Sequence, residues 1–191
     1  MRLYFATNNL YKFTEFARLF SASHIHLEHV PMPLGEIQDV DMDKIVRGKA
    51  ADAYAKLGHP VLVDHSGLAM RALGGLPRGL NKQFWEILEG KVCKLAYRLH
   101  DPRAVIMAYL GICDGYKVHT IHQEDPGRIA PKPAKMGRFH LDKVFIPQDC
   151  HITLAEMRVE ERDRIGYRRK AAEKAITKLR TLPLGKSLRS H

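Results

Sequence analysis

No apolar run in this chain approaches the ~20 residues that cross a bilayer, and the opening residues 1–9 turn polar too soon to read as a secretory signal. A membrane-spanning class is excluded on that ground, and a cytoplasmic location is expected. Cysteine is scarce. Cys93, Cys113 and Cys150 stand far apart with no CxxC pair, which argues against a zinc knuckle or a disulfide framework and leaves three reduced, structural thiols. Internal repeats, low-complexity tracts and linkers are missing as well, so a single domain over residues 1–191 is expected, long enough to bury one substantial core.

Acidic residues are in deficit, 21 against 31 lysines and arginines, and the net charge of +10 favours anionic partners. Much of the excess lies from Arg158 onward, where Arg158, Arg162, Arg164, Arg168, Arg169, Lys170, Lys174, Lys178, Arg180, Lys186 and Arg189 face only Glu160, Glu161, Asp163 and Glu173. Two readings of that segment stand side by side: a solvated helix face with a basic tail, or contact with phosphates or nucleic acid. No aromatic-rich nucleic-acid motif accompanies it. Among the histidines, His24, His26 and His29 sit in a weakly patterned stretch without carboxylates at ligand spacing, and are read as a solvated strand or loop.

Residues 2–6 read as a short buried strand, and Phe13, Phe16, Ala17 and Phe20 then recur at helical spacing. Between them Thr7-Asn8-Asn9 supplies short polar side chains suited to a turn and a helix N-cap, with Lys12 able to reach back across that end. A helix is predicted over 43–57, ended by Gly58-His59-Pro60. A buried strand over 60–64 follows, delivering Asp64 at its C-terminal end. Residues 74–79 read as a loop and 84–88 as helical. The runs 104–113 and 116–122 flank Asp114-Gly115, a strong hairpin signal. A loop is predicted over 125–137, a short strand over 144–146, and a final basic helix with Ile165, Ala172, Ile176 and Leu179 inward. Strands alternating with helices around a mixed sheet give an α/β fold.

The chemistry concentrates at few positions. Strand-to-helix turns attract anions because unpaired N–H groups and the helix dipole point at the ligand, and Thr7, Asn8, Asn9 and Lys12 form such a turn. Glu36 and Asp64 each present a carboxylate beside an apolar segment, the hard oxygen ligands that Mg²⁺ shared with phosphate requires.

Ala6-Thr7-Asn8-Asn9-Leu10-Tyr11-Lys12, with Glu15, resembles the amino-terminal signature of the inosine triphosphate pyrophosphatase family. The blocks that follow keep the family's order: Glu36-Ile37-Gln38, Asp64-His65-Ser66-Gly67-Leu68, Gly74-Gly75-Leu76-Pro77, Phe139-His140-Leu141-Asp142, Val144-Phe145-Ile146-Pro147, Thr153-Leu154-Ala155-Glu156-Met157 and Ile165-Gly166-Tyr167-Arg168. The resemblance implies an elongated, two-lobed α/β fold with a long central mixed sheet flanked by helices, a nucleotide cleft between the lobes, and a homodimer. It implies hydrolysis of a modified purine nucleoside triphosphate to the monophosphate and pyrophosphate, assisted by Mg²⁺. It places Thr7, Asn8, Asn9, Lys12 and Ser66 on the triphosphate, and Glu36 with Asp64 at the metal. Phe139, Asp142, Arg162, Tyr167 and Arg168 fall on the nucleotide side.

The chain departs from the family pattern where a second acid normally follows Asp64: here it is His65. A neutral imidazole can accept a proton or ligate a metal, but it suits Mn²⁺ or Co²⁺ better than Mg²⁺. Phe139-His140-Leu141-Asp142 lacks the family's glycine and second aromatic. Tyr167 stands for a histidine, and Arg162 for a lysine, which trades a point charge for a planar fork. The alternative expectation is a catalytically weakened nucleotide-binding protein on the same scaffold.

Overall fold

A computed structural model describes residues 1–88, 91–135, 137 and 139–182 of the chain; Lys186 and Arg189 of the basic end lie outside the described residues. In chain order the elements are β1 (Arg2–Ala6), α1 (Leu10–Phe20), β2 (His26–Val30), α2 (Met42–Leu57), β3 (Val61–Met70), β4 (Pro77–Arg78), α3 (Asn81–Leu88), α4 (Val92–Arg98), β5 (Arg103–Cys113), β6 (Val118–Ile129), α5 (His140–Val144), β7 (Phe145–Pro147), α6 (Val159–Ile165) and α7 (Tyr167–Leu179). The strands form one mixed sheet in the order β2-β1-β3-β5-β6-β7, with β4 added to β3. β1 runs parallel to β2 and β3, and the remaining pairings are antiparallel.

The helices begin and end where local chemistry says they should. Asn9 caps α1, its side-chain oxygen accepting the Lys12 N–H at 3.1 Å. Asp41 caps α2 by accepting from Asp43 and Lys44, and Gly58 closes it in the left-handed region at φ 71°. α1 and α7 cover one face of the sheet, burying Phe5, Phe16, Leu62, Leu110, Ala171 and Ala175 in a common core. α2 covers the other, setting Val46, Ala50 and Ala53 against Val61 and Val63. Each inaccessible phenylalanine, such as Phe5 or Phe16, contributes roughly 1.5–3 kcal/mol by burial.

Three expectations are corrected. The strand predicted to end at Asp64 continues to Met70, because all ten of its residues pair with β5; Asp64 therefore sits mid-strand. Residues 125–129 belong to β6, not to a loop. The Pro126 carbonyl accepts the Gln148 N–H, so its N side faces the outer edge beyond β7, where no ladder bond needs a donor. The basic segment forms two helices broken at Gly166, where ψ is 144° and a Cβ would stand 2.5 Å from the Arg162 carbonyl oxygen. Its buried side is Tyr167, Arg168, Ala171, Ala172, Ala175 and Leu179, while Ile165 and Ile176 are only partly covered.

Candidate active site

The site arises from a gap in the sheet. On its β1 side, β3 pairs with β1 only at Val61 and Leu62, and with β4 only at Leu68 and Ala69. Residues 63–67 between them have no strand partner on that side among the described residues. Side chains cap the freed carbonyls: Lys49 Nζ donates to the Asp64 oxygen at 3.0 Å, and Asn81 Nδ2 to the Ser66 oxygen at 2.9 Å. Strand alternation then sends Asp64 and Ser66 to the α1/α7 face and His65 to the α2 face. The gap opens both faces onto one cleft.

Ion pairs fill the deep end. Lys12, in the first turn of α1, donates to Asp64 Oδ2 at 2.8 Å, with both side chains largely buried. Burial alone would raise the Asp64 carboxyl, but Lys12 and Lys49 outweigh it and hold it below its usual range. Burial lowers the Lys12 ammonium, and the neighbouring Lys49 and Arg168 add to that against the pull of Asp64. Glu36 lies 3.4 Å from Lys49 Nζ and 3.8 Å from His65 Nδ1. Its burial pushes upward, yet the ammonium of Lys49 brings the net shift down. The His65 ring meets the Gly79 carbonyl oxygen at 3.1 Å through Nε2, an acceptor that assigns the proton to that nitrogen and leaves Nδ1 bare toward Glu36. Burial, with Lys49 and Lys12 nearby, lowers the His65 pKa to about 4.

Beneath this cluster Arg168 is 2 % exposed and held by two carboxylates: Nη1 lies 3.2 Å from Glu15 and 3.3 Å from Asp142. Burial would lower its pKa, but Asp142 and Glu15 raise it well above the usual value. Its guanidinium lies 4.1 Å from the centre of the Phe139 ring and 4.7 Å from that of Tyr167. Burial raises the Tyr167 hydroxyl well above its usual pKa. Ser66 Oγ, Tyr167 Oη, Arg162 Nε and two nitrogens of Arg168 are buried without hydrogen-bond partners. Such a concentration of unpaired polar atoms is uncommon away from a binding site.

A cavity of about 370 Å³ joins these groups, lined on its polar side by Asn9, Lys12, Glu36, Lys49, His65 and Ser66 and on its apolar side by Phe139. Of the positions singled out from sequence, Asn8 is exposed beside the cleft, and Thr7 acts within the turn, its hydroxyl accepting the Asn9 N–H at 3.1 Å. Asp64, Asp142, Tyr167 and Arg168 are buried and do not line the cavity; Asp64 meets it through Lys12. Lys49 was missed, although it lies on the same helical stripe as Val46, Ala50 and Ala53, where a lysine in an apolar row is the available signal. Asn81 and Trp85 carried no such signal. His29, from the histidine-rich segment, stacks on Phe13 at 4.5 Å, and its Nε2 lies 2.8 Å from the Thr7 carbonyl oxygen, bracing the turn. A larger cavity of about 690 Å³ touches Arg103, already held by Asp101 at 2.7 and 2.8 Å, and shares no residue with the ion-pair cluster.

The fold and the cleft thus define a mixed-sheet α/β protein with lysines converging on a helix N-terminus, an arrangement complementary to a polyanion. The Ham1 family model matches residues 3–178, and the chain belongs to that family. It is 34% identical over 172 residues to a dITP/XTP pyrophosphatase of Pyrobaculum aerophilum, a match spanning 90% of this chain and 92% of that one. A dITP/XTP pyrophosphatase of Methanopyrus kandleri is 31% identical over 176 residues, 91% of this chain and 94% of the relative. Inosine triphosphate pyrophosphatase 2 of Trypanosoma cruzi is 36% identical over 164 residues, 78% and 77% of the two chains. In fold the chain is similar to a HAM1 protein of Coxiella burnetii, with TM-score 0.80, 22% identity, and coverage of 95% of this chain and all of that one. No helix among the described residues is long and apolar enough to cross a membrane.

Proposed function

We propose that this chain hydrolyses a modified purine nucleoside triphosphate, of the inosine or xanthosine type, to the monophosphate and pyrophosphate. The observation that carries the reading is the convergence of Lys12 and Lys49 on Asp64, Glu36 and His65 at the N-terminus of α1. The names of the relatives, dITP/XTP and inosine triphosphate pyrophosphatases, support the reaction class.

In this reading Lys12 and Lys49 neutralise the triphosphate, and the free N–H groups of the first turn of α1 bind its oxygens. Asp64, kept ionised by its two lysines and buried beneath the cavity, fixes Lys12 in place, and the Glu36 carboxylate, which lines the cavity, accepts a hydrogen bond from the attacking water. His65 holds a proton only weakly with its pKa near 4, so its bare Nδ1 orients water rather than storing the proton.

The same reading includes a divalent cation; among the described residues no three histidine, cysteine or carboxylate side chains already form a metal cluster, so phosphate oxygens and water would have to complete its shell. Glu36 Oε1 and His65 Nδ1 face each other at 3.8 Å as two acceptors with no proton assigned between them, a span suited to a shared ion, and Asp64 supplies further charge. Glu36 and Asp64, with His65 beside them, would hold it; when bound, it supplies charge neutralisation and a more acidic water. The mixed oxygen and nitrogen donors favour Mn²⁺ or Co²⁺ at least as well as Mg²⁺. A homodimer, the assembly that the family resemblance implies, belongs to the same proposal and is tested by light scattering on the 21.8 kDa chain.

The deciding experiment incubates purified protein with inosine, xanthosine, guanosine and adenosine triphosphates across Mg²⁺, Mn²⁺ and Co²⁺ and measures pyrophosphate. Release of pyrophosphate from the first two supports the reading. Tight binding with no pyrophosphate under any metal replaces it with nucleotide sequestration, which the histidine at position 65 would then explain.

A further inference from the structure

The lysines and carboxylates of the cleft deal with the anionic half of a nucleotide, whereas the flat half needs an aromatic face. Phe139 already has two cations near its ring, Arg168 at 4.1 Å and Lys12 at 5.5 Å. Leu141, where the related family carries an aromatic, is aliphatic and 2 % exposed. A further aromatic surface lines the same cavity. Trp85 of α3 and His140 of α5 stack there with ring centres 5.6 Å apart and planes 29° apart. Both rings line the 370 Å³ cavity that holds Lys12 and Lys49, and both also line an adjoining space of about 450 Å³, so the pair forms the wall between the two.

Two polar atoms on the same helix face await partners. The indole N–H of Trp85 is buried with no acceptor. One turn earlier, Asn81 is 7 % exposed and lines the cavity; its amide nitrogen is used on Ser66, but Oδ1 has no donor. The Asn81 acceptor lies one turn from Trp85 on the same helix face, within reach of the edge of a base stacked on the indole, and that edge offers an N–H donor.

We propose that Trp85, backed by His140, is the platform on which the purine base stacks, with Asn81 Oδ1 accepting an N–H from the base edge. The proposal rests on the triphosphate reading of this cleft and makes Trp85 the residue that determines how tightly the nucleoside half is held. The aromatic missing at Leu141 is replaced by one from a different element, α3.

Trp85 is the one tryptophan in the chain, so its emission reports on the site directly. The wild-type protein is titrated in Mg²⁺ buffer with inosine triphosphate and, separately, with inorganic tripolyphosphate. Emission is read in the first seconds after mixing and corrected for absorbance with free N-acetyltryptophanamide. Saturating inosine triphosphate is expected to quench the emission. Tripolyphosphate should leave it unchanged while competing for the site. Trp85→Ala should raise KM for inosine triphosphate roughly ten-fold, the scale of one base–aromatic stack, with kcat within about three-fold. Trp85→Phe should recover most of that loss, and tripolyphosphate inhibition should be the same in all three proteins. The proposal is overturned if the wild type hydrolyses inosine triphosphate with no change in emission, if tripolyphosphate quenches equally, or if Trp85→Ala leaves KM within two-fold. Quenching by the nucleotide with no pyrophosphate released would retire the hydrolytic reading and keep the stacking one.

Discussion

Lys12→Met tests the Lys12–Asp64 pair at the centre of the cleft. The Asp64 side chain is 3 % exposed, and Lys12 Nζ lies 2.8 Å from its Oδ2. Removing one partner of a buried pair strands the other, at a cost of about 3–5 kcal/mol. Two features place this pair at the low end. Lys49 still lies close enough to lower the Asp64 pKa, and the substitution also removes the burial penalty that depresses the Lys12 ammonium. A loss of about 3 kcal/mol corresponds to a fall in Tm of roughly 6–12 °C for a chain of this size. The pH dependence has a definite sign. In the wild type the Asp64 carboxyl is held below its unfolded value, so its stabilisation is present above the unfolded pKa and is lost as pH falls through the folded one. Without Lys12, burial pushes that carboxyl upward, so the deficit of the variant should be greatest near neutral pH and shrink in acid. Calorimetric melts between pH 8 and pH 4 measure this, and titration calorimetry with a nucleoside triphosphate should show affinity reduced by roughly ten- to a hundred-fold, the scale of a charge-assisted contact. The double variant Lys12→Met/Asp64→Asn should recover part of the stability but none of the affinity. A melt within 2 °C of wild type at neutral pH, with nucleotide affinity unchanged, would refute the buried-pair argument and the phosphate assignment together.

His65→Asp should move metal preference in the pyrophosphate assay toward Mg²⁺. It should also flatten the loss of wild-type stability on acidification between about pH 6.5 and 4, where the unfolded histidine binds a proton that the folded one refuses; an unaltered metal series removes His65 from the ion's surroundings. Tyr167→Phe deletes a buried, unpartnered hydroxyl that does not line the cavity, so Tm should hold or rise and the ranking of inosine, xanthosine, guanosine and adenosine triphosphates should stay as in the wild type; a changed ranking would mean that the hydroxyl reads the base after all. Gly79→Ala would set a Cβ 2.3 Å from the Asp39 carbonyl oxygen and from Ile45 Cδ1, costing roughly 1–3 kcal/mol and displacing the carbonyl that orients His65; a wild-type melt and metal dependence would show that this loop yields freely.

Much of the architecture is legible in local pattern. The Asn9 cap, the helix ended by Gly58 and the hairpin at Asp114-Gly115 depend on residues a few positions apart; each forms where it is predicted, the hairpin with a longer connection, its second strand starting at Val118 rather than Tyr116. The ordered motifs likewise identify the family, because they are read along the chain. Strand length was not legible in the same way: the polar His65-Ser66-Gly67 interrupts the apolar pattern of β3, and only pairing with β5 carries the strand on to Met70.

The sequence alone therefore determined the main helices and strands, their order and the residue types suited to holding a triphosphate, while α4, α5 and the short β4 inside the expected 74–79 loop emerged only in the fold. Tertiary structure decided which of them meet. Asp64 finds Lys12 at a separation of 52 residues, and Arg168 finds Glu15 at 153. Lys49 and Asn81 enter the site only because a gap in the pairing of β3 leaves carbonyls that need donors. Trp85 reaches His140 from a helix that periodicity ties to no site. The physical reason is that helical and strand periods report which face of an element is buried, but not what buries it. Desolvation, ion pairing and unpaired hydrogen-bonding groups depend on that second fact, and it is set by strand order and helix packing across the whole chain.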